Sequence, residues 1–396
     1  MKTAIKFICI MLSLMMLLSL AACNQGTSPE VTTEDPVQTE EPESTTTDSD
    51  TTPADEPEET QPEVVVYEDR VYNIADNLEN IKVIGRSLAA DGGISIDWSA
   101  SGIEFNAECR GKVVLTVTSS EPCKLLISVD GTEKTVEIAK GTADYEIAAE
   151  LSEGDHNIRA IKKNDNAVEN TPDILTSVSK ISMCGLLGER PADKKYLIEF
   201  IGDSITCGLG TVAAGSLETD ATVTYAYKAA EILDVDYSFV SVSGIGVAIS
   251  TEQNNGLVMS DIYEYTNYYR DQTAKYTPAR KADVVVIALN TNDNGRSPSA
   301  ADYNAKATAL INSIKAIHGE DVKIVWATAL MYSQGSCDTL AKFLLKNLGG
   351  EDSGYYMMVG TPDSSGAFTH PSAAGHAVNG EKLAKFIKDK GILDIE

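Results

Sequence analysis

Two rhythms of apolar residues run along the chain. In residues 64–189 they come in short runs or alternate with polar positions. Ile94, Ile96 and Trp98 alternate with Ser95 and Asp97, the period of a strand buried on one face. Residues 113–117 and 125–129 are further runs, and Asp130-Gly131 supplies a hairpin turn before Thr135-Val136-Glu137-Ile138. Tyr145-Glu146-Ile147 and Ile158-Arg159-Ala160-Ile161 follow, separated by Glu153-Gly154-Asp155. Many short strands at this spacing predict a β-sandwich or jelly roll. Residues 190–396 change rhythm. Dense Val/Ile-type runs at 196–201, 238–242, 283–289, 322–327 and 355–359 predict strands covered on both faces. Helical stretches lie between them, the clearest at 301–317, where Ala307, Leu310, Ile311, Ile314 and Ile317 form one stripe. A last helix carries Leu383, Phe386 and Ile387. This alternation predicts a mostly parallel α/β sheet between helices, with any site at the carboxyl ends of its strands.

The first 63 residues fit neither rhythm. After Lys2 and Lys6, residues 7–20 are an apolar run ending in Leu20-Ala21-Ala22-Cys23, too short for a stable membrane span. Residues 1–22 read as a signal peptide. Small residues before Cys23 resemble a bacterial lipobox, which implies cleavage before Cys23, a diacylglycerol on its sulfur and a place on the cell surface. An ordinary secretory signal is the alternative, and export follows from both. Residues 24–63 hold 13 Asp/Glu, six Pro, ten Thr and no Lys or Arg. Such a segment cannot bury enough apolar surface to fold, so 23–63 is expected to be a disordered, extended tether.

The net charge of -27 therefore divides unevenly, with close to half of it in the tether. The acidic balance argues against nucleic acid as a partner and against electrostatic docking on anionic lipid. Membrane contact is expected only through the N-terminal anchor. Of the cysteines beyond the lipobox, Cys109, Cys123, Cys184, Cys207 and Cys337 are odd in number and give no complete disulfide framework. Cys109 and Cys123 either pair or stay thiols. No Cys/His cluster suggests a metal.

The strand ends carry the candidate chemistry. The first runs into Gly202-Asp203-Ser204-Ile205-Thr206, where Ser204 is either a nucleophile with a base in reach or a helix N-cap. The second ends in Ser243-Gly244-Ile245-Gly246, where glycine either makes a turn or lets the backbone approach a ligand. The third ends in the polar cluster Asn290-Thr291-Asn292-Asp293. Four histidines are candidate bases. His156 follows a turn, and His318 closes a helix at its C-terminus, where a cation suits the dipole; both read as structural. His370 lies in the loop before a helix opened by Pro371 and Ser372, and His376 falls inside that helix as a packing or surface residue. Trp326 lies in a strand and reads as core. The tyrosines at 263, 265, 268 and 269 alternate too densely to face one way, so no aromatic is assigned to the site.

The order GDSIT, a glycine after strand two, TND, then HPS near the C-terminus resembles the SGNH/GDSL hydrolase superfamily. The string 198–208, with Ile-Asp-Trp-Ser-Ala-Ser-Gly at 96–102 and His156-Asn157-Ile158-Arg159, is closer to carbohydrate esterase family 2. That resemblance implies an SGNH hydrolase domain (190–396) behind a jelly-roll domain (64–189). It also implies an esterase removing O-acetyl groups from plant polysaccharides such as xylan or mannan, without cofactor or metal. Carried over by motif, Ser204 is the nucleophile and His370 the general base. The Ser204 and Gly244 N–H groups and the Asn292 side chain form the oxyanion hole. Two positions depart from the pattern. The superfamily's acid three residues before the histidine is Ala367 here, and Phe368 follows it. A Ser–His dyad with the imidazole held by a backbone carbonyl is therefore expected, with Asp363 as the alternative partner. Asn290 stands where glycine is usual, and asparagine tolerates left-handed backbone. A non-catalytic carbohydrate-binding surface protein and an esterase of lipid-like substrates are the competing functions.

Overall fold

The computed structural model describes residues 66–166, 173–333 and 335–395. The expected signal peptide, Cys23 and the tether lie outside the described residues. The first domain is one large antiparallel sheet of nine strands. They are β1 (Asp69–Asn73), β2 (Ile81–Ile84), β3 (Ala89–Ala90), β4 (Gly93–Ser95), β5 (Gly102–Ser119), β6 (Cys123–Val129), β7 (Thr132–Ile138), β8 (Gly141–Lys162) and β9 (Thr176–Leu187). β6 and β7 pair across Asp130-Gly131 as the turn residues predict. Burial alternates along β5, placing Ile103, Phe105, Ala107, Val113, Leu115 and Val117 on one side. The β5–β8 ladder shifts register between Cys109 and Val114, and bulges of this kind bend long strands. Residues from both sides of the break join a single core with Ile147, Ile158, Val178 and Ile181.

The second domain has five parallel strands in the order β11-β10-β12-β13-β14. These are β10 (Leu197–Gly202), β11 (Asp236–Ser241), β12 (Val284–Ala288), β13 (Lys323–Thr328) and β14 (Tyr355–Val359). The helices are α1 (Ser204–Cys207), α2 (Tyr225–Leu233), α3 (Met259–Ile262), α4 (Thr291–Asn294), α5 (Ala300–His318), α6 (Gly335–Asn347) and α7 (Ala373–Asp389). Each sheet face is covered. Phe200 and Val286 pack with α2 and α7, while Ile201 and Val285 pack with α3, α5 and α6. The α5 stripe faces the sheet through Leu310, Ile311 and Ile314, and Trp326 is core. Ile84, Ala100 and Ile161 of the first domain enter one of these cores, and Trp98 enters the other.

That packing corrects the expectation for residues 94–98. Pairing stops at Ser95, and Ser95 and Asp97 are as buried as the isoleucines. The segment runs between domains, so both of its sides are covered. Asp97 accepts the Arg270 guanidinium at 2.7 and 2.8 Å, and Trp98 Nε1 donates to Thr266 O at 2.8 Å. His318 is likewise not a cation at a helix end. Its Nδ1 accepts the Ala282 N–H at 3.1 Å, leaving Nε2 to donate toward Glu199 at 3.2 Å. Glu199 also binds Arg86 of the first domain through two contacts of 2.9 and 3.1 Å. Burial would raise the Glu199 carboxyl, but Arg86 and His318 hold it well below the usual range. The five described cysteines are free thiols, including Cys109 and Cys123.

Candidate active site

β10 ends at Gly202, and the chain turns at once into α1. The N-cap is Asp203, whose carboxylate accepts the Ile205 N–H at 3.0 Å. Ser204 is thus released from capping, and its Oγ lies 2.8 Å from His370 Nε2. The other ring nitrogen, Nδ1, donates to the carbonyl of Phe368 at 3.0 Å. That carbonyl is aimed by two consecutive left-handed residues, Phe368 at φ 53° and Thr369 at φ 59°. Such a conformation is costly for residues with side chains and persists only where surroundings enforce it. Here the Ala367 N–H donates to Gly210 O at 3.2 Å and Gly366 N–H to His370 O at 2.9 Å. Gly210 itself is at φ 94°, and a Cβ there would stand 2.6 Å from His370 Cβ.

Asp363 does not orient the ring. Its carboxylate accepts from Ser365 Oγ and Ser372 Oγ, both at 2.7 Å, and from Ser372 N–H at 2.8 Å. Against burial, these donors hold it down to about 2. Ser372 in turn caps α7, accepting the Gly375 N–H at 3.1 Å, so Asp363 fixes the helix start behind His370. Burial lowers the His370 imidazole below its ordinary value, against the Phe368 carbonyl, which favours the protonated ring. His376 is buried in α7, where its Nδ1 accepts the Tyr225 N–H at 3.1 Å, and burial pushes it down to about 3.

The other candidates converge on the same strand ends. Gly244, after β11, is at φ 78°, and a Cβ would meet Thr251 Oγ1 at 2.1 Å, so only glycine fits this turn. The loop beyond it is held by Asp293, which accepts the Val247, Ala248 and Ile249 N–H groups at 2.8, 2.6 and 2.9 Å. Sequence reasoning quoted Asp293 only as part of a block and missed this anchoring role; an acid after a buried strand was the available signal. Asn290 takes the left-handed conformation its position requires, at φ 94°, and its amide bonds to Tyr303 and Asp338. Asn292 follows, donating from Nδ2 to Ile245 O at 2.8 Å and, more loosely, to Asp203 Oδ2 at 3.3 Å. The second proton is the one it can yield to a ligand. Burial pushes the Asp203 carboxyl up to about 7, against the Ile205 N–H that favours its anion. Phe368 and Tyr332 are exposed aromatics, and Asp203 acts on the Tyr332 phenol electrostatically. Among the described residues no group of three or more His, Cys, Asp or Glu side chains is placed to hold a metal.

The arrangement can perform nucleophilic acyl transfer, with a serine hydroxyl bonded to a base and backbone and amide donors on neighbouring loops. Comparison with known proteins agrees. Residues 198–331 match the family of GDSL-like lipases/acylhydrolases. The cellulase/esterase CelE of Acetivibrio thermocellus is 27% identical over 321 residues, covering 74% of this chain and 37% of CelE. The chain thus spans little more than a third of that relative. The acetylxylan esterase/glucomannan deacetylase of Cellvibrio japonicus is 24% identical over 322 residues, covering 71% of this chain and 82% of the relative. Among solved structures, a family two carbohydrate esterase from Cellvibrio japonicus aligns at TM-score 0.72 and 17% identity, covering 82% and 98% of the two chains. One from Clostridium thermocellum in complex with cellohexaose aligns at 0.69 and 23%, covering 79% and 100%. Both likenesses cover the fold of the two domains together.

Proposed function

We propose that this chain, whose residues 198–331 form a GDSL-like lipase/acylhydrolase domain, is a serine esterase removing O-acetyl groups from plant-type polysaccharides such as xylan or mannan. The observation that carries the reading is the 2.8 Å contact between Ser204 Oγ and His370 Nε2, with Nδ1 fixed by the Phe368 carbonyl. Ser204 Oγ attacks the acetyl carbonyl carbon while His370 Nε2 takes its proton. The oxyanion that develops is bound by the Ser204 and Gly244 N–H groups and the Asn292 amide, each such donor being worth about 3–4 kcal/mol. The imidazolium returns its proton to the sugar alkoxide. Water then enters by the same route and releases acetate from the acetyl-enzyme. The Phe368 carbonyl dipole stabilises the transient imidazolium in place of a carboxylate, so this is a dyad.

The substrate class is supported by the curated relatives, which are named for esterase, acetylxylan esterase and glucomannan deacetylase activities. Export belongs to the same proposal. The apolar run and Leu20-Ala21-Ala22-Cys23 support a lipid anchor on Cys23, and the acidic tether supports a catalytic unit held away from a bacterial surface.

The test is acetate release from acetylated xylan and glucomannan, with 4-nitrophenyl acetate as the reporter. Ser204→Ala and His370→Ala are each expected to lower kcat by about a thousandfold or more. Unchanged turnover in either variant overturns the mechanism. Polysaccharide binding without turnover in the wild type leaves the carbohydrate-binding alternative.

A further inference from the structure

The catalytic end of the domain junction is closed by one short segment of the first domain. After β8 the chain runs on through residues 162–166 as a tongue set into the second domain. Its root is pinned by Lys162, a buried ammonium donating to Asp97 O at 2.5 Å and Ile174 O at 2.9 Å. Lys163 O accepts the Ala221 N–H at 2.8 Å. Asn164 Nδ2 donates to Thr219 O at 3.1 Å, and Asp165 N–H donates to Thr219 Oγ1 at 2.7 Å. At its tip the fully buried Asp165 accepts the Ser243 N–H on Oδ2 at 2.9 Å. Burial and the nearby Asp165 carboxylate hold the Cys207 thiol well above its usual value.

The contacts at the tip lie near the proposed reacting groups. Ser243 precedes Gly244 directly. Cys207 ends the four-residue helix that begins at Ser204. Thr219 bridges to Leu209, and the next residue, Gly210, accepts the Ala367 N–H below His370. Two separate loops supply the Ser204 and Gly244 N–H groups, and a donor stabilises an oxyanion only within about 2.7–3.1 Å of it. The separation of the two loops is therefore a quantity that something must set.

We infer that Asp165, a residue of the β domain, is a positioning residue that fixes the Ser204 and Gly244 N–H groups relative to one another, its carboxylate holding Ser243 and its backbone N–H holding Thr219, which bridges to Leu209, itself bonded to Ser204 O. The inference rests on the Ser204 esterase reading. It makes the β domain a structural half of the oxyanion hole rather than an appended sugar-binding module. A role limited to holding the domains together makes a different prediction, since it lowers thermal stability and leaves each folded molecule as active as before.

The experiment uses the full chain and first requires that 4-nitrophenyl acetate turnover depend on Ser204. Asp165→Ala, Asp165→Asn and Thr219→Val are then compared for kcat, KM, Tm and inhibition by phenylboronic acid, whose tetrahedral adduct on a serine mimics the oxyanion. Asp165→Ala is expected to lower kcat about a hundredfold, the size of losing one oxyanion donor. Its KM stays within about twofold, because ground-state binding is untouched. Phenylboronic acid inhibition should weaken in parallel. Asp165→Asn keeps an acceptor oxygen for Ser243 and should recover about tenfold of the loss. Thr219→Val removes the hydroxyl that accepts the Asp165 N–H, cuts only the arm toward the Ser204 loop and should lower kcat by a smaller factor with the same selectivity. If Asp165→Ala does not fold, the other two variants decide. Unchanged kcat per folded molecule, or a rise in KM alone, overturns the positioning role. Absence of Ser204-dependent turnover in the unmutated chain overturns the esterase reading instead, and the inference with it.

Discussion

Glu199 and Asp203 stand four residues apart, one within β10 and the other just past its end, and both are buried. Yet they titrate in opposite directions. Glu199 meets the Arg86 guanidinium, and His318 and the Tyr263 hydroxyl contact the same carboxylate. It is held well below the usual carboxylate range. Asp203 meets a backbone N–H and the loose Asn292 amide, and burial pushes it up to about 7. The middle of the strand neutralises its charge with a guanidinium brought from the other domain. The strand's carboxyl end holds its charge with dipoles alone and leaves it adjustable. Stability is invested in the first carboxylate, and chemistry is arranged around the second.

The most severe way to break this contrast is to remove the cation. Arg86→Met leaves Glu199 buried without its guanidinium and should cost about 3–5 kcal/mol in denaturant unfolding, whereas Arg86→Met with Glu199→Leu should recover most of it. A near-neutral single variant would mean that Arg86 is not what holds the carboxylate.

Asp203→Asn tests the other member. The folded pKa of Asp203 lies above its unfolded value. Between about 4 and about 7 the folded carboxyl therefore keeps a proton that the unfolded chain has lost, and stability falls as pH rises through that window. Asparagine removes this contribution, so the Tm difference between pH 5 and pH 8 should shrink. A variant with the wild-type slope would show that Asp203 carries its charge without penalty. The neighbouring base sharpens the point. In the proposed mechanism His370 acts unprotonated, so kcat/KM should fall as pH drops. Because burial lowers its pKa, the acid limb should lie below the ordinary histidine value of about 6.5. A limb above 6.5 would argue for an anionic partner on the ring. The smallest effect is expected at Asn290→Gly. Glycine takes the same left-handed turn freely, and only the side-chain bonds to Tyr303 and Asp338 are lost, about 1 kcal/mol in thermal unfolding.

What was legible in the sequence was what is local. The strands of the second domain were expected within two residues of their observed ends, because Val/Ile runs and the α5 stripe record burial directly. Ser204, Gly244, Asn292 and His370 were singled out, and the structure places them at neighbouring loops. Tyr263 is buried against Glu199, while Tyr265, Tyr268 and Tyr269 pack edge to face in a row. What was missed was what residues distant in sequence decide. Residues 94–98 look one-faced until Arg270, 173 residues from Asp97, covers the polar side. His318 looks like a helix-end cation until Glu199, 119 residues away, accepts from it. Asp165 gave no signal at all, because its partner Ser243 is 78 residues downstream and contributes only a backbone N–H.

One further consequence comes from the carbonyl that orients His370. Every amino acid has that carbonyl, so the holding group is independent of what residue 368 is, provided the left-handed turn survives. A carbonyl also has no proton to gain in the physiological range, so acid reaches the base only through the imidazole itself. Meanwhile the Phe368 side chain is half exposed. The side chain at this position can change without rewiring the hydrogen bond that holds the imidazole. In an enzyme with an aspartate in this role, the same change would alter basicity; here side chain and basicity are separately adjustable.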